Sequence, residues 1–384
     1  MLCRMIYLDY NATTPLIKEV KAEMEPFLDL YFGNPSSPHA YGMTSKQALE
    51  AARRRIADSI ACHPDEIIFT SGGTEANNLA IIGVTSARRN YGNRIITSSI
   101  EHPSVIETAK YIEKHGIAAV ILEPDHTGRI EPSKIKDAIT PRTILVSIQI
   151  ANNEIGTIQP IAEIAEICRQ KKVLLHADAV QALGKINVSV AELGVDLLTI
   201  SSHKVYGPKG VGALYLRKGI DIDSLLHGGG QEDKRRAGTE NVSGIVGFGK
   251  ACEIAVSNLK ENSEKFLALR DRFEELIITG GIEARINGNP FHRLPNTSSI
   301  SFKGISSERL IRKLSNELAI SAASACSTCN PDEWRSSHVL EALKVSKDWS
   351  LGTIRISVGV PTSQSEVETA AQLIENYLNT EIFK

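Results

Sequence analysis

Short runs of apolar and β-branched residues alternate with segments of helical periodicity over the first two-thirds of the chain. We predict strands at residues 66–70, 94–99, 118–122, 143–149, 172–178, 196–201 and 212–217. Helical patterns lie between several of these runs, for example in SVIETAKYIEKHG and IAEIAEICRQKK. Strands that are buried on both faces and separated by helices form parallel sheets. The pattern therefore indicates a mainly parallel, doubly wound α/β sheet, which we expect the run at 212–217 to close.

The last third of the chain has a different order of elements. Residues 240–275 carry long helical periodicity, and strand-like runs then alternate with the helical patterns SSERLIRKLSNELA (306–319) and SEVETAAQLIENYL. Strands mixed with helices over ~110 residues are typical of a smaller α+β domain. We therefore predict a large domain at residues 16–250, and a small domain formed by residues 1–15 and 251–384.

Composition and charge narrow the functional classes. The chain has 384 residues, of which 42% are hydrophobic and 23% charged, and its formal net charge is −2. Because no basic excess is present, we expect no direct contact with nucleic acid. No stretch approaches the ~20 apolar residues that cross a bilayer, and we expect neither a secretory signal nor membrane contact. Most of the six cysteines are scattered, unlike a disulfide framework, which favours a cytoplasmic location.

A carboxylate and a lysine follow two neighbouring predicted strands. Asp178 ends the strand at 172–178, and Lys204 follows the strand at 196–201. Ligands of open α/β sheets bind beyond the carboxyl ends of strands, so both side chains are expected to face one cavity. Pyridoxal 5′-phosphate (PLP) needs a lysine that binds its aldehyde and an acid that keeps its pyridine nitrogen protonated. Taken singly, Asp178 is equally well explained as a helix cap and Lys204 as a surface lysine.

Three further loops place polar groups at the same predicted edge of the sheet. In SGGTEANNLAI, the glycines and Thr74 open a helix whose N-terminus favours a phosphate. His102 follows the next strand, where an imidazole can stack on a planar cofactor and move protons. Asn153 follows a third strand, and Gln181 lies three residues beyond the aspartate. Each signal alone is compatible with an ordinary turn, but their convergence on one rim indicates an active site.

The order of these motifs resembles that of a known enzyme family. The motifs are YLDYNATTP, FGNPSS, FTSGGTEANNLAI, EH, NNEIG, HADAVQ, SSHKVYGPKGVGALY, GGGQE, RAGTEN, RLPNT, SACST and TIRISVG. Together they are similar to cysteine desulfurases of the NifS/IscS type, which are class V aminotransferase-like PLP enzymes of fold type I. The resemblance spans residues 7–377. It implies a seven-stranded sheet in the large domain, PLP as the cofactor, L-cysteine as the substrate and a homodimer.

The resemblance also implies a role for each matching residue. Lys204 is the PLP lysine, Asp178 pairs with the pyridine nitrogen, Gln181 hydrogen-bonds the ring oxygen and His102 stacks over the ring. The groups that hold the phosphate are Gly73, Thr74, Ser201, His203 and Thr239 of the partner subunit. The groups on the substrate side are Asn34, Asn153, which also contacts the cofactor, and Arg355, which takes the carboxylate through a bidentate contact.

The resemblance places the catalytic nucleophile at Cys326. This residue lies in SAASACSTCNPDEWRSSHVL, whose small and polar residues are typical of a loop. As a thiolate it takes the sulfur of L-cysteine, which yields L-alanine and an enzyme persulfide. The persulfide passes sulfur to an acceptor protein, either an iron–sulfur scaffold or an enzyme that thiolates nucleic acids. No resident metal is implied, apart from transient ligation of a shared iron–sulfur cluster by the Cys326 persulfide.

Three departures from the family pattern leave the acceptor protein open. Ala323, Ser324 and Ala325 precede Cys326 in place of the usual glycine-bearing segment, the loop after Cys326 is longer than usual, and the last helix has no long tail behind it. Cys326 and Cys329 also form C-x-x-C. Neither a second such pair nor suitably spaced histidines accompany them, which disfavours a zinc site.

Two alternative functions remain. A selenocysteine lyase or another class V aminotransferase-like enzyme would share Lys204, Asp178 and Arg355, whereas only sulfur transfer requires Cys326. A non-catalytic scaffold with the same fold would not need Lys204, Asp178, His102 or Cys326, so the presence of all four disfavours it.

Overall fold

The computed structural model of the protein describes residues 5–322 and 336–382. The strands of these residues are β1 (Ile6–Tyr7), β2 (Ile67–Thr70), β3 (Arg94–Ser98), β4 (Ala118–Leu122), β5 (Thr143–Gln149), β6 (Leu174–Asp178), β7 (Leu197–Ser201), β8 (Gly212–Leu216), β9 (Ala284–Ile286), β10 (Thr297–Phe302), β11 (Leu318–Ala319), β12 (Ser321–Ala322) and β13 (Thr353–Ser357). The helices are α1 (Lys18–Met24), α2 (Pro26–Asp29), α3 (Ala40–Ser59), α4 (Gly73–Ala87), α5 (Pro103–Glu113), α6 (Pro132–Ala138), α7 (Ile161–Lys171), α8 (Val190–Leu193), α9 (Val242–Ser257), α10 (Leu259–Thr279), α11 (Ser307–Leu314), α12 (His338–Ala342), α13 (Lys347–Ser350) and α14 (Gln364–Ile382).

The central sheet has seven strands in the order β2-β8-β7-β6-β5-β3-β4. Strands β3 to β7 are parallel to one another, whereas β8 is antiparallel to both of its neighbours. The predicted seven-stranded, mainly parallel sheet is therefore confirmed. The prediction that the run at 212–217 closes the sheet is wrong, because β8 lies inside it, between β7 and the edge strand β2. Residues 202–211 are too few for a crossover helix, so the chain turns back antiparallel after β7.

Helices cover both faces of this sheet. Successive residues of a strand point to opposite faces, and on these strands the residues of both faces are apolar and need to be buried. On β5, Val146 and Ile148 pack in one hydrophobic cluster with residues of α3, α7 and α9. Leu145 packs in a second cluster with residues of α4 and α5. The carboxyl ends of the parallel strands remain open at one edge, where most of the predicted site residues lie.

A separate four-stranded antiparallel sheet has the order β12-β13-β10-β9, and β1 pairs with β11 beside it. Its apolar side chains form a third cluster with α10, α11 and α14. The predicted long helix at 240–275 is two helices that meet at Asn258, where the apolar packing changes from the first cluster to the third. The division into domains at residue 250 stays a prediction. In the part of the chain that the structure describes, we find no helix long and apolar enough to cross a membrane.

Candidate active site

The carboxyl edge of the central sheet opens into one pocket of about 350 Å³. It is lined by polar side chains from the loops after several strands and by one arginine from the smaller sheet. The predicted site residues that line it are Gly73, Thr74, His102, Asn153, Asp178, Gln181, Ser201, His203, Lys204 and Arg355. Side chains that lie far apart in the sequence therefore meet around one volume.

Two predicted site residues of the described part of the chain do not line this pocket, and a third lies outside the described residues. Asn34 is exposed, and its side-chain oxygen accepts a hydrogen bond from the backbone N–H of Ser36 at 2.9 Å. Thr239 is exposed on the loop before α9, and the contact predicted for it is with the cofactor of the opposite protomer. Cys326 lies outside the described residues, as does Cys329. The roles of these residues stay predictions.

Asp178 lies at the end of β6 and is connected to His102 by a chain of hydrogen bonds. Its Oδ1 accepts from the backbone N–H of Val180 at 2.9 Å, and its Oδ2 accepts from Nδ2 of Asn77 at 2.7 Å. The same Asn77 nitrogen donates to Oγ of Ser104 at 2.9 Å, and this hydroxyl lies 2.8 Å from Nδ1 of His102. These hydrogen bonds fix both the carboxylate of Asp178 and the imidazole of His102, which are the two groups predicted to contact a pyridine ring.

His102 caps the N-terminus of α5, and its surroundings favour the neutral imidazole. Its Nδ1 also accepts from the backbone N–H of Ser104 at 3.1 Å, so the single proton of the neutral ring resides on Nε2. Burial lowers the pKa of His102, as do Lys204 and His338, against the opposing effect of Asp178. A neutral imidazole can lie against a planar ring without the cost of burying a charge.

Lys204 follows β7 in the turn Ser202–Lys204. Its Nζ donates to the carbonyl oxygen of Asn11 at 2.6 Å and to that of Ala12 at 2.8 Å. Burial lowers the pKa of the adjacent His203 to about 4, and Lys204 is the next contributor to this shift. The N-terminal segment of the chain therefore positions the amine that faces the pocket.

Arg355 reaches the pocket from β13 of the smaller sheet and is almost fully buried. Its Nη2 donates to Oδ1 of Asp9 at 2.7 Å, and its Nη1 donates to the carbonyl oxygen of Asn153 at 3.2 Å. Its buried Nε has no hydrogen-bond partner among the described residues. A guanidinium that is held by these contacts and lines the pocket is suited to bind a carboxylate.

The N-terminus of α4 forms the corner of the pocket that is suited to a phosphate. Gly72, just before the helix, has a φ of +154°, a conformation that L side chains rarely adopt. A Cβ atom on Gly73 would lie 2.9 Å from Cγ2 of Val180, so a side chain would fill this corner. The first N–H groups of the helix have no partner within it, and the hydroxyl groups of Thr74 and Ser201 line the same pocket.

Comparison with known proteins identifies the family. A model described as "Aminotransferase class-V" matches residues 6–369. The chain belongs to this family. The class-V relatives include a "Cysteine desulfurase IscS" from Dictyoglomus turgidum, which is 46% identical over 98% of this chain and 95% of its own length.

Solved structures of class-V relatives have the same fold. One, titled "NIFS-LIKE PROTEIN", has a TM-score of 0.92 at 37% identity and covers 98% of this chain and 100% of its own. Another, titled "SspA in complex with cysteine", has a TM-score of 0.81 at 36% identity and covers 92% of this chain and 99% of its own.

Class-V aminotransferases are PLP-dependent, and the residues of the pocket fit this cofactor. Lys204 offers an amine for the aldehyde, and Asp178 offers a carboxylate for the pyridine nitrogen. The N-terminus of α4 offers N–H groups for the phosphate at a corner where Gly73 adds no side chain of its own.

The pocket is also lined by polar residues to which we assigned no role. They are Asp9, Asn11, Asn77, Ser104, Gln149 and Ser321. Asn77 carries a recognisable signal, because an asparagine on the otherwise apolar face of a helix needs polar partners when it is buried. Asp9 and Asn11 carry no such signal, since their position depends on how the N-terminus folds back over the sheet.

Proposed function

We propose that the protein is a PLP-dependent cysteine desulfurase, which converts L-cysteine to L-alanine and retains the sulfur as a persulfide on Cys326. The observation that carries this proposal is the convergence of Lys204, Asp178 and Arg355 on one pocket. The same three residue types bind PLP and an amino-acid carboxylate, and the relatives named cysteine desulfurase support the substrate.

Each residue of the pocket has a task in this reaction. PLP, when bound, supplies an electron sink for the bond changes of the substrate. Asp178 holds a proton on the pyridine nitrogen, Gln181 donates to the ring oxygen and His102 lies against the ring. The guanidinium of Arg355 and the side chain of Asn153 orient the substrate carboxylate.

The nucleophile is assigned to Cys326 because both ends of the segment that contains it lie at the pocket. Ser321 lines the pocket and pairs with Arg355. Cys326 follows Ala322 by four positions, so their Cα atoms are at most ~14 Å apart. After the undescribed segment, Nε2 of His338 lies 3.0 Å from the carbonyl oxygen of Glu101, which precedes His102.

Atoms and electrons are conserved in this sulfur transfer, in which the thiol of Cys326 and L-cysteine give the Cys326 persulfide and L-alanine. The thiolate of Cys326 attacks the sulfur of the bound cysteine, a new S–S bond forms and the C–S bond of the substrate breaks. The substrate carbon takes a proton, which gives L-alanine, and the enzyme retains the persulfide. A sulfur-acceptor protein of iron–sulfur assembly or of nucleic-acid thiolation then receives the sulfur.

We also propose a cytoplasmic homodimer. Large apolar side chains are exposed near α2 and at the start of α3, with Phe32 71%, Leu28 66% and Tyr41 56% exposed. A patch of this kind is suited to a second copy of the chain. Free thiols at Cys62, Cys168 and Cys252 suit a reducing compartment.

The decisive experiment separates the two thiols of the C-x-x-C pair. Cys326→Ala is expected to bind PLP and cysteine but to form no alanine, because no thiol then accepts the substrate sulfur. Cys329→Ala, the matched control, is expected to retain the first turnover. Alanine is quantified, and mass spectrometry locates the added sulfur. Alanine formation by Cys326→Ala with none by Cys329→Ala would reassign the nucleophile, and turnover by the double variant would refute the desulfurase mechanism.

A further inference from the structure

A second lysine lies behind the wall of the active-site pocket. Lys185 is only 5% exposed and follows Gln181 on the segment after β6. Its Nζ donates to Oε1 of Gln181 at 2.7 Å. No carboxylate pairs with it in the described part of the chain, so the cost of burying this amine is not offset by an ion pair there. None of the tasks assigned above uses this residue.

Two hydrogen bonds determine which way the Gln181 amide faces. Its Nε2 donates to the carbonyl oxygen of Asn11 at 3.0 Å, and a carbonyl oxygen can only accept. Its Oε1 accepts from Lys185. Both neighbours therefore require the same orientation, in which the second hydrogen on Nε2 remains available to the pocket that Gln181 lines.

The position of Lys185 makes it the group that holds this orientation. Asn11 is already shared, because its carbonyl oxygen also accepts from Nζ of Lys204 at 2.6 Å. Without the Lys185 amine, Oε1 of Gln181 would be buried without a donor, which proteins avoid. The amide would then be held only by the shared carbonyl oxygen of Asn11, and rotation would bring its own oxygen toward the pocket.

The charged and titratable groups around Lys185 belong to the active site. Burial lowers the pKa of Lys185 well below its ordinary value, and Lys204 and Arg355 lower it further. Lys185 in turn contributes to the lowered pKa of His203. A cavity of about 80 Å³ lies beside it and is lined by both Lys185 and Lys204.

We propose that Lys185 is a positioning residue, which holds the Gln181 amide with its N–H donor turned toward the ring oxygen of PLP. The inference rests on the proposed function, which assigns Gln181 to that oxygen. A donor at the ring oxygen stabilises its negative charge and lowers the proton affinity of the nitrogen through which Lys204 binds the cofactor. A rotated amide would present its own oxygen and raise that proton affinity.

The pH dependence of the visible absorbance of the PLP-loaded protein tests this. Lys185→Met keeps most of the side-chain volume and removes the amine. We expect the midpoint of the absorbance change to rise by about half a pH unit or more. An unchanged midpoint would overturn the proposal. Lys185→Gln, which is too short to reach Gln181 and keeps a polar end, gives the same test if Lys185→Met does not fold.

Loss of the positive charge of Lys185 would also raise the midpoint. Lys185→Met is therefore also made in the variant Gln181→Leu, to separate the effect of the charge from that of the amide. In Gln181→Leu the amide is absent, and Lys185→Met is expected to shift the midpoint by less than about 0.2 pH unit, because coupled residues are not additive. An equal shift in both backgrounds would show that Lys185 acts through its charge and would overturn the proposal.

Two further variants complete the design. Lys185→Arg keeps a donor and a charge, and the adjoining cavity of about 80 Å³ has room for the larger group. Its midpoint is expected to stay near that of the wild type. Wild-type protein that binds PLP and forms alanine supports the proposed function whatever these variants do. Wild-type protein that does not bind PLP overturns both proposals.

Discussion

Glu101 is a buried carboxyl group beside the pocket, next to His102 in the sequence. Burial raises the pKa of Glu101 to about 8, and Asp178 adds to this, against the opposing hydrogen bonds from Ser98 and from the backbone of Gln149. Burial likewise raises the pKa of Glu154 to about 7. Both carboxyl groups therefore hold a proton over pH values at which an exposed glutamate is ionised.

The pH dependence of stability tests the protonated state of Glu101. Between pH values of about 4.5 and 8, Glu101 keeps its proton in the folded protein but has lost it in the unfolded chain. The contribution of Glu101 to the free energy of unfolding therefore falls as pH rises, by at most ~1.4 kcal/mol per pH unit. Glu101→Gln removes this contribution. The free energy of unfolding of the variant minus that of the wild type is therefore expected to increase as pH rises from about 4.5 to 8. Urea unfolding at a series of pH values measures the difference.

The matched control is Glu107→Gln, which changes a carboxyl group that is 66% exposed on α5. The difference in the free energy of unfolding between this variant and the wild type is expected to be constant with pH, because Glu107 is in contact with water in both the folded and the unfolded protein. A constant difference for Glu101→Gln as well would show that Glu101 is ionised in the folded protein.

Individual site residues could be predicted from the sequence where their position depends on their own strand. Asp178 and Lys204 each follow a buried apolar run, which places them at the carboxyl edge. Asn11 could not be predicted in this way, because its bond to Lys204 joins positions 193 residues apart. The hydrogen-bond partners of a site depend on how distant segments cross, which local patterns do not encode.

Among the elements, those with strong periodicity were predicted well and those that depend on tertiary pairing were not. The helix predicted at 306–319 ends at Leu314, because Leu318 and the residue after it pair with β1 as strand β11. Strand β11, which follows the helix and pairs with β1, is too short to show the alternating pattern of a strand in the sequence. Strand pairing therefore overrides the helical pattern at this point.

Helix α4 offers a prediction that concerns cofactor affinity. Gly73→Ala places a Cβ atom 2.9 Å from Cγ2 of Val180, so either the Val180 side chain or the first turn of α4 must move. We expect the affinity for PLP to fall about tenfold, because crowding of this kind costs ~1–3 kcal/mol. Titration of the cofactor-free protein with PLP, followed by fluorescence, measures the change.

Gly230→Ala is the matched control, since no atom lies within 4 Å of its added Cβ. Its affinity for PLP is expected to equal that of the wild type. If Gly73→Ala binds PLP as tightly as this control does, the phosphate is held elsewhere in the pocket.

At the scale of the whole molecule, the proposed homodimer is tested through the apolar patch near α3. Phe32→Glu places a charge on a side chain that is 71% exposed and within ring contact of Tyr41. A buried unpaired charge at an interface is costly, so we expect the dimer to dissociate at micromolar concentration. Sedimentation velocity measures the change.

The control for surface charge is Phe291→Glu, since Phe291 is 89% exposed and lies well outside the patch in sequence. This variant is expected to sediment as the wild type does. Monomeric wild-type protein, or a dimer that tolerates Phe32→Glu, would contradict the proposed interface.

The pairing of β1 with β11 has a consequence for biosynthesis. Asn11 is translated 346 residues before Ser357 of β13, its hydrogen-bond partner, and Ile6 is likewise translated long before its partner strand β11. The clusters of the central sheet draw on residues between Val20 and Ala255, so that sheet can form while translation continues. The segment around Ile6 and Asn11 can take its place only after β11 and β13 have been translated, and the carbonyl groups that hold Lys204 take theirs with it. A reactive lysine thus reaches its working surroundings in chains that extend past β13 and not in shorter fragments.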